Sequence, residues 1–226
     1  VIVWSGDQTR ELLKLENVAS SVNEITIKPA ATGAFPVIYA SGEVDTGINF
    51  ENSEAEEILI LDAIATAVNE VKISNAATGT PPIIQAQGGD TNVSLRLTAK
   101  GTGVIQTTQP FVEERTQTAL TDTATVTIAQ LLTKVLDGTP TAAAVYTLPT
   151  GANLVAGIAN SQVGDSFSFY VNNQSGGANT ITVAQGATGS TSDGTLTVAQ
   201  NVIREFLIII TNVTGASEAY FVYGIE

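Results

Sequence analysis

The sequence predicts an all-β protein, mainly β with one or two short helices, in which tandem short-strand β-repeats precede an antiparallel β-sandwich or jelly-roll-like domain. Three observations carry that expectation: a segment that recurs at an offset of 46 residues, short β-branched runs cut by turn residues, and one clear helical face in a chain of 226 residues.

The repeat can be followed residue by residue. Glu11-Leu12-Leu13-Lys14-Leu15 aligns with Glu57-Ile58-Leu59-Ile60-Leu61, and Val22-Asn23-Glu24-Ile25 with Val68-Asn69-Glu70-Val71. The same offset places Ala30-Ala31-Thr32-Gly33 on Ala76-Ala77-Thr78-Gly79 and Pro36-Val37-Ile38 on Pro82-Ile83-Ile84. One deletion later, Asp45-Thr46-Gly47-Ile48 meets Asp90-Thr91-Asn92-Val93. The expected layout is a first repeat at 1–53, a second at 54–104, a linker at 105–123 and a C-terminal domain at 124–226. In the second repeat, residues 58–61, 70–74, 82–86 and 93–97 read as strands between Ala-Thr-Gly and Gly-Gly-Asp turns. A unit of about 45 residues lies near the lower limit for burying its own core, so these units must stack or pair with other chains.

In the C-terminal part, Ile128, Leu131, Leu132, Val135 and Leu136 fall on one helical face. Thr125 or Thr127 caps its start, Gly138 ends it and Pro140 prevents continuation. A shorter helix follows Thr150 through Leu154, Val155 and Ile158. Residues 166–171, 180–183, 195–198, 205–211 and 219–225 read as strands. The segments 173–178, 186–194 and 214–217 read as loops, and 206–210 as a central strand buried on both faces.

Composition narrows the function classes. With 22 acidic and 9 basic side chains the net charge is −13, which argues against nucleic acid, whose phosphates need concentrated positive charge. Hydrophobic residues make up 43% and charged residues 14%, the balance of a folded, soluble protein. No apolar run reaches the roughly 18 residues that cross a bilayer, and no basic-then-apolar leader opens the chain. The absence of cysteine excludes disulfides and thiolate sites, and the absence of histidine removes the commonest general base and metal ligand. With no methionine at position 1, the chain reads as processed or as part of something longer.

Each motif with chemical potential has a plainer explanation. Asp45-Thr46-Gly47 matches the aspartic-protease tripeptide, but its counterpart Asp90-Thr91-Asn92 breaks the pattern and a turn opener accounts for both. Glu51, Glu54, Glu56 and Glu57 could attract calcium, yet they lack the interleaved Asp, Asn and Gly of a calcium loop and read as a solvated linker. Glu113-Glu114-Arg115 has no nucleophile or oxyanion donor beside it. Asn92-Val93-Ser94, Asn173-Gln174-Ser175 and Asn212-Val213-Thr214 fit the glycosylation pattern, which recurs by chance in such a composition. Trp4 is the sole tryptophan; Phe167, Phe169, Phe206 and Phe221 read as core, and Tyr170, Tyr220 and Tyr223 as partly exposed. No catalytic, cofactor-binding or metal-binding residue is expected.

The run at 68–84, followed by Gly89-Asp90-Thr91-Asn92-Val93-Ser94-Leu95 and Lys100-Gly101-Thr102-Gly103, resembles the repeats of tailed-bacteriophage virion proteins, fibre and head-decoration proteins among them. Tyr146-Thr147-Leu148-Pro149-Thr150, Val163-Gly164-Asp165-Ser166-Phe167 with Asn172-Asn173, and Thr211-Asn212-Val213 with Glu218-Ala219-Tyr220 resemble a C-terminal module of the same proteins. That resemblance implies a homotrimer and no enzyme or cofactor. It points to a head decoration or head-fibre protein on the virion surface, in contact with other virion proteins. Two alternatives keep the architecture: a tail fibre that recognises a host surface glycan, and a cellular adhesin.

Overall fold

The computed structural model describes residues 57–62 and 64–225 with their side chains, and the backbone of strands at 24–28, 37–41 and 48–51. The chain divides into two compact units, Val1–Glu70 and Val71–Glu226.

In the first unit, β1 (Glu24–Lys28) pairs antiparallel with β2 (Val37–Ser41), Glu24 opposite Ser41. Strand β3 (Ile48–Glu51) pairs with β4 (Glu57–Leu61), Ile48 opposite Leu61, with a register shift between Phe50 and Glu51. Strands β5 (Asn69–Ser74), which runs across the boundary at Glu70, and β6 (Ile83–Gly88), which lies in the second unit, make a further two-stranded sheet. The ends of β1 and β5, Lys28 and Ser74, and the starts of β2 and β6, Val37 and Ile83, are separated by the same 46 residues seen in the sequence. Between β5 and β6 the chain reverses where the Thr80 N–H donates to the Ala77 carbonyl at 3.1 Å, with Gly79 at φ +87°. That is the position where a type II turn requires a positive φ, and glycine meets it without a Cβ clash.

From residue 116 the second unit runs β7 (Thr116–Leu120), β8 (Ala124–Thr125), α1 (Ile128–Leu132), β9 (Lys134–Gly138), β10 (Ala144–Thr147), α2 (Gly151–Gly157), β11 (Ser166–Asn173), β12 (Ile181–Ala184), β13 (Ser190–Gly194), β14 (Thr197–Val198), β15 (Val202–Asn212) and β16 (Ala219–Ile225). One sheet has the order β13-β16-β15-β11-β9-β7 and the other β14-β12-β10-β8. Both feed one core. Tyr146, Ile181, Val183 and Val198 come from the smaller sheet, and Leu136, Phe169, Val171, Phe206, Ile208, Ile210, Tyr220 and Val222 from the larger. Leu131 of α1 and Leu154 of α2 complete the same buried cluster. Phe169 and Phe206 face each other across β11 and β15 with ring centroids 5.3 Å apart.

The protein is mostly β as expected, with two short helices among the described residues. Several finer expectations are corrected. The sheets are mixed, not antiparallel: β8 and β12 flank β10 in parallel, β7 and β11 flank β9 in parallel, and β13 lies parallel to β16. The helix expected over 128–136 ends at Leu132, and its second half is β9. Thr127 caps that helix in a capping box with Gln130, the stronger arrangement. At Lys134 the backbone turns to φ +73°, which breaks the helical path and releases residues 134–138 to the ladder with β11 and β7. The second helix starts at its Thr150 cap as expected, and Leu154 is buried.

Residues 116–120, within the stretch expected as a linker, supply the edge strand β7. Residues 190–194, expected as loop, form edge strand β13, and residues 93–97, expected as strand, join no ladder. Strand β15 is central but buried on one face only: Phe206, Ile208 and Ile210 are inaccessible while Leu207 and Ile209 between them are half-buried. Among the described residues no helix is long and apolar enough to cross a membrane.

One end of this core is closed by polar groups. Asn173 is wholly buried; its Nδ2 donates to the carbonyls of Asn179 at 3.0 Å and Val198 at 2.9 Å, and its Oδ1 accepts from the Ser175 N–H at 3.1 Å. Ser175, also buried, donates to the Pro140 carbonyl at 2.9 Å and accepts from Asn179 Nδ2 at 2.9 Å. Removing one member leaves buried partners unsatisfied, at about 1–3 kcal/mol each. Asn173→Ala is therefore expected to destabilise the second unit by about 3 kcal/mol or more, measured by denaturant unfolding followed at the C-terminal tyrosines. An Asn173→Ala loss below about 1 kcal/mol would contradict the role of this network.

Candidate functional site

The residues singled out for chemistry do not converge. Asp45-Thr46-Gly47, Glu54, Glu56 and Trp4 lie outside the described residues, as does the side chain of Glu51. Asp90-Thr91-Asn92 occupies an exposed bend, and Glu57 is exposed at the start of β4. Among the described residues no three of His, Cys, Asp and Glu cluster as a metal would require.

Glu113-Glu114-Arg115 has a structural use. Glu113 forms ion pairs with Arg115 and Lys134, each at 3.1 Å, and so ties the segment before β7 to the start of β9. Arg115 lies 5.0 Å from the centre of the Tyr170 ring, and the Lys134 ammonium 5.0 Å from that of Phe167, so both cations also meet aromatic faces. The hydrogen bond and charge of Lys134, with a smaller contribution from Arg115, hold the Glu113 carboxyl below its usual range.

The glycosylation patterns separate by burial. Asn173 is inaccessible, so that pattern cannot be glycosylated in the folded chain. Asn212 accepts from the Thr214 N–H at 2.8 Å, a turn-forming contact. Tyr220, expected to be partly exposed, is buried and donates to the Pro149 carbonyl at 2.8 Å; burial pushes its hydroxyl pKa up. Tyr146 is buried too, donating to the Leu120 carbonyl at 3.2 Å, with its pKa pushed up to about 12 chiefly by desolvation. Phe221 and Tyr223 stack on each other at 4.3 Å along β16.

The most distinctive surface is apolar. On β4, successive residues Ile58, Leu59, Ile60 and Leu61 are all exposed, Ile58 at 71%. Successive strand side chains point to opposite faces, so both faces of this strand are apolar and wet. On the second unit, Val71 and Ile73 of β5 and Ile83 and Ile84 of β6 are exposed in the same way. Leu95, Leu97, Val104, Ile105, Phe111 and Val112 follow, the last two at 86% and 89%. Large apolar side chains left exposed in numbers on strands mark candidate interaction surfaces.

The second unit also contains an open groove of about 540 Å³. It lies where β8 passes into α1 and β10 into α2, and is lined by Thr125, Val126, Ile128, Leu148, Pro149 and Asn153 among others, with no charged side chain. Sequence reasoning did not single it out.

No family model, curated protein or solved structure matches the chain. Its site is therefore read from its own residues: a cluster of tethering ion pairs, exposed apolar hairpins, and an uncharged groove.

The Glu113 tether gives a pH dependence with a definite sign. A carboxylate whose folded pKa is depressed stabilises above its unfolded pKa, and that contribution is lost as pH falls through the folded value. Side-chain carboxyl NMR is expected to show Glu113 titrating below the usual glutamate range, and Lys134→Ala should move its midpoint upward. An unchanged midpoint in Lys134→Ala would remove the ion pair from the account.

Proposed function

We propose that the chain is a structural protein of a tailed-bacteriophage virion surface, a homotrimer that decorates or projects from the capsid as a head decoration or head-fibre protein. The observation that carries the multimeric part is the exposure of Ile58, Leu59, Ile60 and Leu61 on β4 and of Val71, Ile73, Ile83 and Ile84 on β5 and β6. Burying an aliphatic side chain of this size stabilises by about 1.5–3 kcal/mol. An isolated two-stranded sheet is marginal in water. Other copies of the same hairpins supply the missing cover, and identical chains do so most simply around a closed symmetry axis.

The virion assignment and the number three rest on the resemblance of residues 68–103 and of the C-terminal motifs to phage virion repeats. A chain without cysteine or histidine, built of short strands and turns, suits an assembly that persists outside a cell and needs no redox poise. The contact with another virion protein belongs to the repeats in this reading, and the mixed-sheet domain is displayed outward.

Light scattering on the full chain is expected to give three times its 23.4 kDa mass, with the mass falling on extreme dilution. A monomer at every concentration would end the multimeric reading. On intact particles, a label at the C-terminus should decorate the head, and a label confined to the tail would overturn the head assignment.

A further inference from the structure

The sequence contains two Asp-Gly pairs, Asp137-Gly138 and Asp193-Gly194. In such a pair the glycine nitrogen can reach the carboxyl carbon of the aspartate side chain, with no Cβ on the glycine to obstruct it. Whether the reaction proceeds in a folded chain depends on what the glycine N–H and the carboxyl already hold. The two pairs differ in both respects.

Asp137-Gly138 is locked. Gly138 is buried at the end of β9, which has β11 on one side and β7 on the other. The Gln174 N–H donates to the Gly138 carbonyl at 2.7 Å. The N–H and C=O of one strand residue point to the same neighbour, so the Gly138 N–H is turned to β11 as well. Asp137 Oδ1 accepts from Asn172 Nδ2 at 2.7 Å and from Gln174 Nε2 at 3.1 Å.

Asp193-Gly194 is not. Strand β13 is the outermost of its sheet, and both residues are exposed. The Tyr220 N–H donates to the Gly189 carbonyl at 2.9 Å. Alternation along the strand from that point turns Thr191 and Asp193 to β16 and turns the Gly194 N–H away from it. That N–H donates instead to Asp193 Oδ1 at 2.7 Å, which holds the nitrogen beside the carboxyl it would attack. The two strands are also close here: Gly194 lies opposite Gly224 at φ +77°, and a Cβ on Gly194 would overlap the Gly224 carbonyl.

We propose that Asp193-Gly194 is a site of spontaneous succinimide and isoaspartate formation, and that the product releases the end of β13 from β16. The Gly194 nitrogen loses its proton and bonds to Asp193 Cγ, and one carboxyl oxygen departs as water. No electron changes hands and no co-reactant is needed. Water then opens the ring. Addition at Cγ breaks the new bond and restores aspartate. Addition at the main-chain carbonyl breaks the original peptide bond, so the chain now runs through the side chain and is one methylene longer. With that extra methylene Gly194 no longer keeps its register against Gly224, where the backbones leave no slack.

Peptide mapping of the folded full-length protein over a storage series reads both pairs in one sample. Isoaspartate is expected to accumulate at least about tenfold faster at Asp193 than at Asp137, because Gly138 reacts only when the central ladder opens. In denaturant the two sites should react at similar rates. Amide exchange on the isoaspartate-carrying fraction should show lost protection at Gly224 and unchanged protection at Phe206. Asp193→Glu, which keeps the charge but cannot close a five-membered ring, should retain Gly224 protection through the same storage. Equal rates at the two sites in the folded protein, or a difference that persists in denaturant, would overturn the site. Intact Gly224 protection in the isoaspartate fraction, or its equal loss in Asp193→Glu, would overturn the release of β13.

Discussion

The side chains of Ile58, Leu59, Ile60 and Leu61 alternate across β4, so a strand that belongs to a two-stranded sheet presents aliphatic surface to water on both sides. A sheet of two strands has no interior, and hydrogen bonds between its strands replace bonds to water with little net gain. What can hold such a hairpin is apolar cover from outside it. Val71 and Ile73 on β5 and Ile83 and Ile84 on β6 have the same deficit. This shortage of cover is the constraint around which the chain is arranged.

The mixed-sheet core from residue 116 onward has no such shortage. Two sheets and two helices meet in one buried cluster, and the buried Asn173 and Ser175 complete each other's hydrogen bonds where that core ends. Close backbone approach helps: a Cβ at Gly224, opposite Phe206 in the ladder, would overlap the Thr195 carbonyl. The described residues thus combine a core that satisfies itself with hairpin strands that do not.

Some of the local elements were legible beforehand, because turn and capping chemistry are local. The β5–β6 hairpin follows from Ala76-Ala77-Thr78-Gly79, and the start of α2 from Thr150. What the sequence hid was decided by partners far away in the chain. The apolar spacing of Ile128, Leu131, Leu132, Val135 and Leu136 fits a helix, and only the offer of two parallel neighbours, β7 and β11, turns its second half into a strand. Strand β13, Ser190–Gly194, has only Thr191 as a strand-favouring residue and owes its conformation to β16. Conversely Val93, Leu95 and Leu97 alternate well and still join no strand among the described residues. The groove depends on β8, β10 and two helix starts meeting, which no local pattern announces.

Amide hydrogen exchange measured over a dilution series tests the central claim most directly, because it reads each sheet separately in the same sample. Protection in β4, β5 and β6 should fall as the protein is diluted, while protection at Phe206, Ile208 and Ile210 stays constant. Hairpins whose amides remain equally protected at every concentration would show that a single chain covers them, and the account would be contradicted.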